Sequence, residues 1–477
     1  MAKFFIGRES EEAEFKRLSN KSTASLIVCQ GRRRIGKSTF FRHCAKGADL
    51  FLSFEGLAPR DKINKKAQLE AFATALNLQT KAPKLTLDSW PQAFDLLDSV
   101  LPTTGTIVIL FDEISWMAIG DPDFPGYVKA AWDARFSQHP NLILVLCGSV
   151  SSWIEKNILK NTGFAGRPTW HLKLPPLALP ACNQFWTGKA VSAAEKLKLL
   201  AVTGGVPRYL EELDPAQSAE QNVERLCFNS SGLLFNEFNL IFHDIFTKRA
   251  DTCRDIMAVL TDGAKTLAEI SSALGKNNSG GSLSAILEDL ESAGFLHKDA
   301  SFSPDTAKTM PRKVRYRIFD NYIRFYLKFI EPAAEQIKKG IYQMSPIETL
   351  QAWDTIMGLQ FENLILSNLR LLIERINLGN VPVLNAGPYY QPATSKAPGS
   401  QIDLMLRTKS AVYVFEIKFR KSVGFSVMDE VREKVKRLNV DSSLSVRTGL
   451  IYQGELDPKI PEADYFDHIV RFEDLLK

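Results

Sequence analysis

Residues Ala24–Ala45 read ASLIVCQGRRRIGKSTFFRHCA, and their order decides the fold of what surrounds them. The run Ala24–Gln30 is apolar on both faces, as a strand covered by helices on either side must be. Gly31-Arg32-Arg33-Arg34-Ile35-Gly36-Lys37-Ser38 then satisfies G-x-x-x-x-G-K-[ST], and Thr39 to Ala45 continue as a helix. Strand, glycine-bracketed loop and helix in that order make a phosphate cradle. Gly31 and Gly36 let the loop curl so that backbone N–H groups and the helix N-terminus face a polyphosphate. Lys37 is placed to reach the β and γ phosphates, and the Ser38 hydroxyl to bind Mg²⁺. Arg32, Arg33, Arg34, Ile35 and Thr39 complete the expected contact surface for ATP.

Outward from this loop, Leu50–Phe54, Thr106–Asp112 and Asn141–Cys147 repeat the same apolar pattern with amphipathic stretches between them. That alternation predicts an α/β chain built on a parallel sheet. The run TIVILFDE ends in Asp112 and Glu113: Asp112 would hold the Mg²⁺, and Glu113 would orient or deprotonate the water that attacks the γ phosphate. The strand ending Cys147-Gly148-Ser149 places Ser149 at the ligand-binding edge of such a sheet. Ser149 is either a γ-phosphate sensor or a cap for the helical stretch Val150–Asn157. Arg167, in the polar loop NTGFAGRPTW, reads either as an arginine finger reaching a neighbouring subunit's nucleotide, which implies a homo-oligomer, or as a solvated loop arginine.

With Phe5-Ile6-Gly7-Arg8-Glu9 at the start and Gly204-Gly205-Val206-Pro207-Arg208-Tyr209-Leu210 further on, these motifs resemble the archaeal-type ATPase family, a branch of the AAA+ and STAND-related P-loop ATPases. The likeness covers residues 1–210. It implies that Gly7 and Arg8 lie near the adenine and that the turn through Pro207 closes a lid on the nucleotide, with Arg208 a second sensor. Gly163-Phe164-Ala165 stands where the family usually has Pro-Leu-Tyr before its Gly-Arg pair.

The chain has 477 residues, 45% of them hydrophobic and 24% charged, which excludes disorder and, at about 150 residues per domain, predicts roughly three domains. A net charge of +5, from 59 Lys and Arg against 54 Asp and Glu, means that any polyanion site is a local patch. No run approaches the roughly 20 apolar residues of a membrane span, so a cytoplasmic protein without a membrane partner is expected. Cys29, Cys44, Cys147, Cys182, Cys227 and Cys253 are scattered, which fits buried thiols and neither a disulfide scaffold nor a zinc site.

The expected divisions are a P-loop core at 1–173, a helical lid at 174–250, a winged-helix module with a connecting helix at 251–344, and a last domain at 345–477. In the third, helical patterns at Asp255–Leu260, Leu267–Leu274 and Ser282–Ala293 precede strands at Phe295–His297 and Lys313–Phe319, the order of a winged helix-turn-helix. Lys298, Lys308, Arg312, Lys313, Arg315 and Arg317 give the wing charge for DNA phosphates. The recognition helix carries Glu288, Asp289 and Glu291 and no base-reading Arg, Asn or Gln, so non-specific DNA contact and a packing role both stay open.

In the last domain Gln401–Leu406 and Ala411–Phe419 read as a hairpin that sets Asp403, Glu416 and Lys418 on one face. Two carboxylates with a lysine can hold Mg²⁺ against a scissile phosphate, and Glu362 on the preceding helix could add a metal contact. The D-x12-E-x-K spacing resembles the PD-(D/E)xK nuclease superfamily, a restriction-endonuclease-like α/β domain, and also the domain of unknown function that commonly follows this ATPase. The resemblance implies metal-dependent phosphodiester cleavage of DNA. The alternatives are a solvated hairpin or a nucleotide-gated regulator without nuclease activity.

Overall fold

Strands buried on both faces must be covered twice, and the first sheet is built that way. In the computed structural model, which describes residues 5–60, 63–81, 83, 85–246, 249–275, 280–393, 398–438 and 440–477, β1 (Ser25–Gln30), β2 (Leu50–Glu55), β3 (Ile107–Asp112), β4 (Leu142–Gly148) and β5 (Pro168–Lys173) pair in parallel in the order β2-β3-β4-β1-β5. Alternate residues feed opposite cores. Leu26, Val28, Ile109 and Phe111 meet Phe72, Trp90 and Phe94 from the helices Lys65–Thr80 and Trp90–Ser99. Ile27, Cys29, Val108 and Leu110 meet Phe15, Phe40 and Phe41 from the helices Glu9–Ser19 and Lys37–Cys44. Each of these large side chains, fully buried, contributes about 1.5–3 kcal/mol. The fifth strand escapes the sequence reading because PTWHLK holds no apolar run: at the sheet edge beside β1, most of its residues are not buried.

The chain divides into two compact units, Met1–Pro176 with Ile241–Thr247, and Leu177–Leu240 with Lys248–Lys477. In the second, the helices Ala193–Thr203 and Ala219–Cys227 start with Ser192 and Ser218, whose hydroxyls accept from backbone N–H groups three residues on. The helices Ala250–Val259, Leu267–Ala273 and Gly280–Ser292 are followed by an antiparallel ribbon of β6 (Leu296–Phe302) and β7 (Thr309–Ile318), with Leu296 opposite Ile318. Residues 276–279, which include Ser279 at the start of the expected recognition helix, lie outside the described residues.

The helix Trp353–Ser367 leads into a mixed sheet ordered β12-β11-β10-β9-β8, made of β8 (Val383–Gln391), β9 (Ser400–Thr408), β10 (Ala411–Val423), β11 (Ser445–Leu456) and β12 (His468–Arg471). The strands β8, β9 and β10 run antiparallel; β10, β11 and β12 run parallel, with the helix Val427–Arg437 as the crossover from β10 to β11. Gly449 has no side chain because a Cβ there would lie 2.2 Å from the Phe415 ring.

Buried polar groups join the parts of this second unit. Gln360 donates to the carbonyls of Ala201 (2.9 Å) and Asn321 (2.6 Å), and Asn363 donates to Ile318 O (2.7 Å) while accepting from Arg317. The ribbon itself lies against the C-terminal sheet. Arg407 donates to Pro304 O (2.6 Å) and Asp305 O (2.9 Å), Tyr390 N–H donates to the Ser301 hydroxyl (3.0 Å), and the Arg315 guanidinium sits 4.3 Å from the centre of the Tyr390 ring. Arg315 and Arg317, expected to face DNA phosphates, are thus engaged inside the fold; Arg317 is buried against Asp299 at 2.6 Å.

Candidate functional site

The loop after β1 is bent by its own composition. Gly36 takes φ 89°, the left-handed region that glycine enters without cost, and starts the helix Lys37–Cys44. A Cβ at Gly31 would meet Leu174 O at 2.9 Å. Arg34 is also left-handed, at φ 68°, a conformation a non-glycine residue holds only where its surroundings impose it. Within this loop Lys37 is buried, and its ammonium donates to Gly31 O (2.8 Å) and Arg32 O (3.1 Å). The Arg33 guanidinium lies 5.3 Å from the centre of the Trp116 ring, Ile35 is buried in the core, and Thr39 is exposed on the first helical turn.

Parallel pairing brings the other strand ends to the same edge. Gln30 is level with Gly148, and Glu55 with Asp112. The Ser38 hydroxyl donates to Asp112 Oδ2, so the two expected Mg²⁺ ligands are in direct contact. Glu113 is left-handed at φ 48° and turns its carboxylate to Ser149, whose hydroxyl donates to both oxygens at 2.8 Å and whose backbone N–H donates at 3.1 Å. Of the two readings of Ser149, the geometry gives a third: it holds Glu113.

Glu55 is a site residue that the sequence reading passed over. Reduced hydration and the charges of Asp112 and Glu113 push its carboxyl above the ordinary range, against the pull of Arg42 and Arg33. Its signal was present, since it ends an apolar strand as Asp112 does. Gly56 follows because a Cβ there would meet Glu113 O at 2.7 Å.

Five further expected residues are placed as follows. Gly7 and Arg8 are both left-handed ahead of the helix Glu9–Ser19, and Arg8 is buried with its guanidinium on Pro175 O at 2.6 Å. Pro207 opens a short helix, Pro207–Leu210, and Arg208 pairs with Glu212 at 2.7 Å and Glu211 at 3.5 Å. Arg167 makes a bidentate pair with Asp133, at 2.7 and 2.9 Å, and the Asp133 carboxyl drops to about 2, chiefly through that hydrogen bonding. That pairing matches neither the free finger nor the solvated loop arginine: the side chain is already matched within its own chain.

The C-terminal residues do converge. Asp403 on β9 accepts from Ile417 N–H on β10 at 2.8 Å, and Lys418 pairs with Glu416 at 2.7 Å. The helix Val427–Arg437 adds Glu430, not singled out from sequence, 2.7 Å from Lys418, and Lys434, from the basic face of that helix, 2.5 Å from Glu416 and 3.9 Å from Asp403. Burial and the Glu416 charge raise Asp403 to about 6, and burial with the Asp403 charge raises Glu362 to about 8.

Among the described residues no three His, Cys, Asp or Glu side chains are grouped as ligands; both Glu416 oxygens and Asp403 Oδ2 accept from ammonium or amide groups. Among the described residues, too, no helix is long and apolar enough to cross a membrane.

Residues 326–435 match DUF234, a family described as archaea bacterial proteins of unknown function. A curated relative, the uncharacterised protein MJECL04 of Methanocaldococcus jannaschii, is 24% identical over 425 residues, 87% of this chain and 88% of that protein. Among solved structures, the Walker-type ATPase PABY2304 of Pyrococcus abyssi is 17% identical with a TM-score of 0.49, covering 68% of this chain and 96% of that one. The ORC2 protein of Aeropyrum pernix, in complexes with ADPNP and ADP, is 13% identical with a TM-score of 0.44, covering 72% and 97%. The chain thus combines a five-stranded parallel α/β sheet carrying the G-x-x-x-x-G-K-S loop with a segment, residues 326–435, that matches DUF234.

Proposed function

We propose that this chain binds and hydrolyses ATP at the loop Gly31–Ser38. The observation that carries the reading is the contact of the Ser38 hydroxyl with Asp112, beside Lys37 and Glu113 on one sheet edge. A hydroxyl and a carboxylate are hard oxygen donors of the kind Mg²⁺ takes, so these residues fit the ion, which when bound neutralises phosphate charge. Among the described residues Lys37 donates to neutral carbonyls, so its charge is available to a phosphate oxygen. Glu113 serves as the base or orienting group for water, and Ser149 fixes the direction of that carboxylate. Glu113→Gln should bind ATP and lose turnover by about 100-fold or more; ATP binding unchanged in Lys37→Ala would remove the assignment.

For residues 251–477 we favour a nucleotide-gated switch, because the ribbon's Arg315 and Arg317 and the cluster's two lysines are engaged within the fold. A winged-helix module, DNA as partner, a homo-oligomer and Mg²⁺-dependent phosphodiester cleavage at Asp403, Glu416 and Lys418 form the finer reading. The convergence of those three residues supports it. Its test is incubation with linear, nicked and single-stranded DNA and Mg²⁺ or Mn²⁺, with and without ATP: product that disappears in Glu416→Gln supports cleavage, and salt-dependent binding without product supports the switch.

A further inference from the structure

We propose that Lys434 is a built-in counter-cation of the C-terminal cluster, occupying the place between Asp403 and Glu416 and competing there with a divalent metal ion. The inference deepens the reading of these carboxylates as a cation site.

Its basis is the pattern of contacts. Glu416 is buried, its side chain 3% exposed, and a carboxylate so placed needs a counter-charge. It has two: Lys418 on Oε1 at 2.7 Å, two residues along the same strand, and Lys434 on Oε2 at 2.5 Å, from a separate element. Lys418 is also tied to Glu430 at 2.7 Å. Of these two lysines, Lys434 is the one that also pairs with Asp403, at 3.9 Å. One ammonium therefore stands between the two carboxylates that a hard cation would bridge.

Lys434 can leave as Lys418 cannot. It comes from the helix Val427–Arg437, at the rim of the cluster, and is the more exposed of the two, 23% against 14%. A long flexible stem lets its head move into water while the helix stays in place. Removing it leaves Asp403 and Glu416 with Lys418 as their remaining close ammonium, an excess of negative charge on oxygen donors suited to Mg²⁺ or Mn²⁺.

The test is Mn²⁺ titration of the full chain without nucleotide, followed by calorimetry. Lys434→Gln should bind Mn²⁺ at least tenfold more tightly than the unsubstituted chain. Lys434→Arg should not gain, and Asp403→Asn added to Lys434→Gln should abolish the gain. Equal Mn²⁺ affinity in the unsubstituted chain and Lys434→Gln would overturn the proposal. Amine acetylation of the unsubstituted chain tests it without a variant: Lys434 should react several-fold more slowly than Lys436, which is exposed on the same helix, and equal rates would overturn it. DNA cleavage is not read in either experiment. Tight Mn²⁺ binding by Lys434→Gln with no DNA product would thus end the cleavage reading and leave the counter-cation standing.

Discussion

Two lysines beside two strand carboxylates make opposite sites in this molecule. Lys37 lies near Asp112, yet its ammonium donates to the neutral carbonyls of Gly31 and Arg32, while Asp112 accepts from a hydroxyl. Lys418 lies near Glu416 and is bound to it directly, with Glu430 closing its other side. A lysine held by carbonyls keeps its charge for an incoming anion; a lysine held by carboxylates is already neutralised. Lysine-carboxylate proximity in sequence therefore does not tell a ligand site from an ion-pair cluster, and the partner of the ammonium does.

Substitutions that separate charge from ligand binding would break or sharpen that contrast. Lys418→Ala leaves buried Glu416 with only Lys434, and its expected cost is about 3 kcal/mol of stability by denaturant unfolding. Lys37→Ala should alter stability little and weaken ATP binding about 10- to 100-fold, the value of a charge-assisted contact; a loss of stability as large as that of Lys418→Ala would make the two lysines alike.

The cluster should also titrate. A carboxyl raised from 4.5 to about 8, as Glu362 is by burial and the Asp403 charge, binds more protons folded than unfolded in that interval. Stability therefore falls as pH rises from about 4.5 to about 8, and Glu362→Gln should flatten that slope in urea melts. The smallest effect belongs to Arg167→Ala: loss of the partly exposed pair with Asp133 should cost less than about 1 kcal/mol and leave ATP turnover unchanged. A fall in turnover of about 10³-fold would instead make it an arginine finger.

What was legible in the sequence follows from how each signal is generated. The strands β1, β3 and β4 are buried at every position, so unbroken apolar runs marked them. The edge strand β5 and the strands β8 and β11 carry exposed or half-buried residues, and β8 and β11 also contain glycines within the strand, so their patterns did not stand out. The loop Gly31–Ser38 was readable because its spacing is covalent. The contacts of Lys434, Glu55 and Asp133 were not, because each meets its partners only through tertiary packing: a helix laid across a hairpin, a parallel register, and a salt bridge 34 residues apart.

The central claim is hydrolysis of ATP at the edge where Lys37, Ser38, Asp112 and Glu113 meet. The direct measurement is ATP affinity and turnover of Glu113→Gln beside the unsubstituted chain. The account predicts unchanged affinity with turnover reduced about 100-fold or more; turnover equal to that of the unsubstituted chain would contradict it.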